Sequence, residues 1–296
     1  MRFTPETLKL LNAFAMRTRR SFYGIRQGAH RSQRRGHGIE FAEFRNYEAG
    51  DNPRYIDWNL FARSDKLLVK RYLEEENVAL YIVIDGSRSL THPSLREKWD
   101  LACHIAAFAS YIALASQDPV TISILGGPSS PRFWSGKAFA PLTSFLTQAT
   151  EAVVSPDARQ LSLAEEARRA ATRVSFPGIC MVISDFLCPV EEVAAMLGSF
   201  RSRNMEVHAV QVLGSGDRSL PDSSDAFTVS DAETGEVRGV PLDGSSRARY
   251  EELLSAHIGR IREHCLESRM QFTTATAAGS PVGVAIDAIR RMGLFV

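Results

Sequence analysis

Two stretches of this chain end alike, and they limit what it can fold into more than anything else in it. "VALYIVID" and "GICMVISD" are apolar runs rich in β-branched residues, and they stop on Asp85 and Asp185. Neither shows the polar alternation of a strand with one wet face. Each therefore reads as a central strand covered on both sides. The segments between them keep helical time: Leu101, Ile105, Phe108 and Ile112 recur at the spacing of one helix face. "PVTISIL", "MEVHAVQVL" and "MQFTTAT" are further strands, and "PRFWSG" is a short candidate. "APLTSFLTQA", "SLAEEARRAATRV", "PVEEVAAMLGSFRSR" and "PVGVAIDAIRRM" are helices, and Leu254, Ile258, Ile261 and Cys265 mark a long one. "DAFTVSDAETGEVRGVPLDG" reads as a hairpin turning near Thr234 and Gly235. Strands alternating with helices give an α/β fold, a doubly wound and mostly parallel sheet.

In that architecture ligands are met at the carboxyl ends of the strands, which is where Asp85 and Asp185 fall. "IDGSRS" sets Asp85, Ser87 and Ser89 at alternate positions. Alternate side chains of an extended segment point the same way, so one carboxylate and two hydroxyls can converge. Hard oxygen donors of this kind suit Mg²⁺ or Mn²⁺. The plainer alternative is an acid and two serines satisfying backbone N–H groups at a strand-to-helix turn. A third is an aspartyl-phosphate nucleophile at Asp85, although the second acid usual in that chemistry is replaced by Ser87. Asp185 can hold a metal-bound water or cap the helix after it.

Composition removes other classes. A net charge of +1 gives no global case for a nucleic-acid or membrane partner. The longest apolar segment, "HIAAFASYIALAS", falls short of the ~20 residues of a membrane span. Cys103, Cys180, Cys188 and Cys265 are scattered without a CxxC pair and read as buried reduced thiols in a cytoplasmic protein. "SGKAF" lacks the glycine and the hydroxyl of a phosphate loop, and the seven histidines show no ligand spacing. Charge is concentrated only before Gly38, where nine basic residues face Glu6 alone. Leu8, Leu11 and Ala15 form the face of a first helix there. The arm beyond it offers a phosphate-binding alternative, without the aromatic rhythm of a stacking surface.

Between that arm and Asp85 the chain is unusually patterned. Asp51, Arg54, Asp57 and Arg63 alternate in sign at close spacing around the turn "EAGDNPR". Arginine pairs with carboxylates in a bidentate fork, so these residues read as a network fixing an irregular loop, or as a docking surface. The division expected is residues 1–76, a basic helix and loop extension packed on the main domain, and residues 77–296, the α/β domain with a hairpin insertion.

The Asp85-x-Ser87-x-Ser89 run with the later Asp185 resembles the metal-ion-dependent adhesion site of von Willebrand factor A-type domains. The Thr of that motif falls on Leu161, with Ser162 the nearest hydroxyl. The preceding block is similar to the signature of bacterial DUF58 proteins. It comprises Gly36, Gly38, Glu40 and Phe41, then Arg45 and Tyr47, then Gly50, Asp51, Arg54, Ile56, Asp57 and Trp58, then Ala62 and Arg63. "ISDF" and "DAETGE" extend the likeness towards the C-terminus. The resemblance implies a non-enzymatic interaction module working with a MoxR-type AAA+ ATPase. Its ion would be touched by Asp85, Ser87, Ser89 and in part Ser162, with Asp185 acting through water. Its partner surface would hold Arg45, Asp51, Arg54, Asp57, Trp58 and Arg63. The rival readings are a metal-dependent phosphoryl-transfer enzyme and a nucleic-acid-binding arm.

Overall fold

The structure is a computed structural model. It describes residues 3–17, 40–48, 51, 53, 56–73, 78–92, 95–153, 162–174, 178–218, 227–232, 235–240 and 244–295. By its internal contacts the chain divides into two units, Met1–Phe22 with Val78–Val296, and Tyr23–Asn77.

In chain order the elements are α1 (Pro5–Leu11), β1 (Glu40–Asn46), α2 (Trp58–Ser64), β2 (Leu68–Leu73), β3 (Ala79–Asp85), α3 (Arg88–Thr91) and α4 (Arg96–Ala115). They continue with β4 (Val120–Leu125), α5 (Phe139–Val153), α6 (Leu163–Thr172), β5 (Gly178–Ser184), α7 (Val190–Arg201) and β6 (Glu206–Gly214). The last are α8 (Ser215–Arg218), β7 (Phe227–Ser230), β8 (Val237–Val240), α9 (Gly244–Glu267), β9 (Gln271–Ala277) and α10 (Pro281–Arg291).

The larger unit is built on a five-stranded sheet in the order β4-β3-β5-β6-β9, every pairing parallel. β3, β5 and β6 are buried at every residue, the reason their sequences never alternate. Their two faces fill two cores. Leu80, Ile82 and Ile84 of β3 meet Ile105, Phe108 and Ile112 of α4 and Ile286 and Ile289 of α10. Tyr81 and Val83 belong with Val193, Met196 and Phe200 of α7 and Ile261 and Cys265 of α9. Each fully buried Leu or Ile contributes roughly 1.5–3 kcal/mol by leaving water. This is the doubly wound parallel sheet that the alternation of strands and helices predicts.

Strand order reverses beside β3: the chain leaves it for β4 on one side and returns through β5 on the other. The carboxyl ends of β3 and β5, Asp85 and Ser184, therefore flank the crevice where a doubly wound sheet meets ligands.

Smaller differences from the sequence reading have local causes. The first helix ends at Leu11, with Asn12 as its C-cap, so Ala15 lies beyond it and is exposed. "PRFWSG" forms no regular strand: isolated antiparallel bridges join Val120 to Phe133 and Ser123 to Ser129. The expected hairpin is present as β7 paired with β8, and Gly235 there takes a φ of +73° that suits glycine. Thr234 lies outside the described residues.

In the smaller unit β1 pairs antiparallel with β2, a pairing the sequence reading lacked on the β1 side. Asp57 caps α2, its carboxylate accepting from the N–H groups of Asn59 at 3.0 Å and Leu60 at 3.1 Å.

Candidate functional site

The Asp85 loop is held by its own acid. Asp85 is fully buried, and its two oxygens face different partners. Oδ1 accepts from the Ser87 N–H at 2.7 Å, and Oδ2 accepts from the Ser184 hydroxyl at 2.7 Å. The Ser87 and Ser89 hydroxyls lie 2.9 Å apart. Asp85, Ser87 and Ser89 are thus brought together, as their spacing predicts. Ser87 is also the extended N-cap residue of α3, and its carbonyl accepts from the Thr91 hydroxyl at 2.8 Å.

Ser184 ties β5 to this loop a second time, since its hydroxyl oxygen accepts from the Phe186 N–H at 2.9 Å. Phe186 adopts a φ of +51°, a left-handed backbone that costs a non-glycine residue roughly 1 kcal/mol. The surroundings over-determine it. The Phe186 carbonyl accepts from His257 Nε2 at 2.8 Å, and the Asp185 carbonyl accepts from Gln211 Nε2 at 2.9 Å. Ser184 of β5, Gln211 of β6 and His257 of α9 together hold the turn in this strained form.

Asp185 stands beside this loop but faces elsewhere. Lys98, from the first turn of α4, places its ammonium 3.1 Å from Asp185 Oδ2 and 3.0 Å from Asp217 Oδ2. The lysine side chain is 1% exposed. Burial works against its charge, but the two carboxylates outweigh burial and raise its pKa above the ordinary lysine value. The ammonium stays charged. Burial pushes the Asp185 carboxyl up; Lys98 pulls it down and the Asp85 charge pushes it up again, for a net upward shift. Asp217 also accepts from the Gly214 N–H at 2.8 Å, and its carbonyl accepts from the Tyr250 hydroxyl at 2.7 Å.

The Ser162 hydroxyl is engaged locally. The residue is the N-cap of α6 in a reciprocal capping box: its hydroxyl accepts from the Glu165 N–H at 3.3 Å, and the Glu165 carboxylate accepts from the Ser162 N–H at 3.1 Å. Leu161, where the adhesion-site Thr falls, is outside the described residues. The residues present do not fit a tightly held divalent ion. Of the two acids, Asp185 is paired with Lys98, which leaves Asp85 as the one acid beside two neutral hydroxyls, Ser87 and Ser89. A fixed ammonium supplies the positive charge that such an ion would bring.

Lys98, Asp217 and Ser184 escaped the sequence reading although each left a signal. Lys98 sits three residues before Leu101 on the apolar stripe of α4, a lysine on a face otherwise buried. Asp217 follows "VHAVQVLG", a third acid just past the end of a central strand. Ser184 is the hydroxyl beside the strand-end acid Asp185.

In the smaller unit Arg45 Nη2 donates to both carboxylate oxygens of Asp51, at 2.7 and 2.8 Å. The Glu48 N–H and then this guanidinium hold the Asp51 carboxyl below the usual carboxylate range. Asp57 is a helix cap, Arg63 is exposed in the last turn of α2, and Arg54 lies outside the described residues. Among the described residues, Asp51 thus takes part in a clamp and Asp57 in a cap. Trp58 is 58% exposed, its ring edge-on to Phe61 at 6.1 Å.

Residues 43–259 match the sequence model of the family described as protein of unknown function DUF58. The chain belongs to the DUF58 family. Its relatives include the uncharacterized protein Rv1480 of Mycobacterium tuberculosis and the uncharacterized protein Mb1516 of Mycobacterium bovis. Each is 29% identical over 257 residues, which is 86% of this chain and 79% of the relative. Among solved structures the DUF58 chain is similar to BatB from Bacteroides thetaiotaomicron, with 15% identity and a TM-score of 0.42. An aerotolerance-related membrane protein from Bacteroides fragilis gives 15% identity and a TM-score of 0.43. Each match covers 73% of this chain and 98% of the other. Among the described residues no helix of this DUF58 protein is long and apolar enough to cross a membrane.

Proposed function

We propose that this DUF58 protein is a non-enzymatic adaptor that docks on a MoxR-type AAA+ ATPase, the partner its family likeness implies. The observation that carries the reading is Trp58. It stands inside the block most characteristic of the family, yet it is 58% exposed rather than packed. Tryptophan and arginine are the residues most often found at the energetic centres of interfaces, and Arg63 is exposed on the same short helix. The Arg45–Asp51 clamp and the Asp57 cap give that helix a fixed base.

The strand ends support docking that needs no resident ion, because Lys98 already matches the Asp185 charge. Phosphoryl transfer through Asp85 has less support: its carboxylate is fully buried and both oxygens accept hydrogen bonds. The four cysteines are free thiols, which supports a reducing, cytoplasmic setting.

The test is capture of the full chain on the immobilised ATPase from the same genome, with and without ATP and Mg²⁺. Saturable capture is expected, weakened about tenfold or more by Trp58→Ala. Absence of capture under every nucleotide and ion condition would overturn the proposal.

A further inference from the structure

The larger unit contains a cavity of ≈ 460 Å³ that lies away from the strand ends. It opens beside the edge strand β4, over the face of the sheet that carries Tyr81 and Val83. Elsewhere on this face the strands present apolar residues to covering helices. Here β4 presents Thr121 and Ser123, both half-buried. A polar floor under a partly open roof is what a recess for a ligand requires, and its size is within the ordinary range for small-molecule sites.

The charged groups on its wall have one sign. Arg132 and Arg173 line it, and no Asp or Glu does among the described residues. Each guanidinium is positioned by a hydroxyl. Arg132 Nη2 donates to the Tyr81 hydroxyl at 3.1 Å, and Arg173 Nη1 donates to Ser129 Oγ at 2.7 Å. Ser129 in turn lies 2.8 Å from the Ser123 hydroxyl, so the second arginine is tied to the floor. The apolar part of the wall is Val174, Phe200 and Trp134. Phe200 is buried, whereas Trp134 is 56% exposed with the Arg132 guanidinium 5.6 Å from its ring centre.

We propose that this cavity binds a small organic anion with a flat apolar body. Its carboxylate or phosphate is taken by Arg132 and Arg173, and its body lies against Trp134 and Val174. Guanidinium forks match both head groups, and an indole face accepts a planar ring. The inference does not depend on the docking of any ATPase, because none of these residues belongs to the Tyr23–Asn77 unit or to the Asp85 loop.

The experiment is calorimetric titration of the full chain with two matched pairs, salicylate against salicylamide and adenosine monophosphate against adenosine. Inorganic phosphate is the fifth probe. Saturable binding of at least one organic anion is expected, about tenfold or more tighter than its neutral partner. The arm that binds identifies the head group. Arg132→Gln with Arg173→Gln should remove that preference at an unchanged melting temperature. Trp134→Ala, a change at an exposed residue, should weaken the organic anion and not inorganic phosphate. Failure of both anions to saturate, or equal binding by the neutral partners, would overturn the proposal. Inorganic phosphate binding as tightly as the organic anions would also overturn it, by removing the role of the apolar wall.

Discussion

The Lys98 ammonium and the Asp185 carboxylate meet at 3.1 Å with side-chain exposures of 1% and 3%. The pair joins the first turn of α4 to the end of β5, with Asp217 as a second acceptor from the segment after β6. Three elements converge on one buried positive charge at the mouth of the crevice. A buried pair of this kind is not in itself a large source of stability. Removing one partner is costly, because the other is left charged in a poorly solvated place.

Lys98→Met should accordingly cost about 3–5 kcal/mol in urea unfolding. It should also change what the site binds. With the ammonium gone, Asp185 and Asp217 are free to attract a cation, and Mg²⁺ should raise the melting temperature of Lys98→Met but not of the unmodified protein. A Mg²⁺-dependent rise in the unmodified protein that disappears in Asp85→Ala would show the opposite, a resident ion at Asp85.

Asp85 and Ser184 should be coupled. Their 2.7 Å bond joins the ends of two central strands and has a buried carboxyl oxygen as its acceptor. Such bonds are worth about 1.5–3 kcal/mol. Ser184→Ala should therefore destabilise by about 2 kcal/mol, and most of that should vanish when Asp85 is already alanine. Chemical denaturation of the four members of the double-mutant cycle measures it. Additive losses would show that the loop is held by other contacts.

Gly178 opens β5 opposite Ala79, the first residue of β3. A Cβ built at Gly178 collides with the backbone carbonyl of Ala79, its register partner on β3. Backbone in mid-sheet cannot yield as a side-chain tip can. Gly178→Ala should cost more than about 2 kcal/mol, read as a fall in the denaturation midpoint. A change within about 0.5 kcal/mol would show that the strands separate easily at this end.

Asp118 should make stability fall as the solution is brought from acid towards neutrality. Its Oδ1 accepts from the Val78 N–H at 2.9 Å, but burial dominates and pushes the carboxyl up to about 6 from 3.8. A raised pKa means that the folded state binds the proton more tightly than the unfolded state. The associated stabilisation is complete below 3.8 and lost as pH rises through about 6. Discounted for partial exposure, its size is about 1–2 kcal/mol. Asp118→Asn keeps an acceptor for Val78 and removes the titration. It should melt higher than the unmodified protein at neutral pH and lose the slope between these values.

The sequence by itself determined the sheet. An unbroken apolar run such as "ALYIVID" has no wet face to offer, so burial on both sides follows from hydration alone, as does a strand-end position for Asp85 and Asp185. Local spacing likewise allowed Asp85, Ser87 and Ser89 to converge within five residues, although the turn into α3, not an extended backbone, brings Ser89 to Ser87. Tertiary structure decided which way Asp185 faces. Its partner, Lys98, lies 87 positions away in sequence, and a lysine on an apolar stripe does not say which strand end it will reach. Ser162 is the converse case: its capping box with Glu165 is entirely local, set by the three-residue spacing at the head of α6. The cavity beside β4 was equally illegible. Thr121 and Ser123 look like ordinary residues of an edge strand until Arg132 and Arg173, brought from other segments, close around them. Periodicity reports which face of an element leaves water, whereas charge pairing across the fold depends on distances that only the packed chain sets.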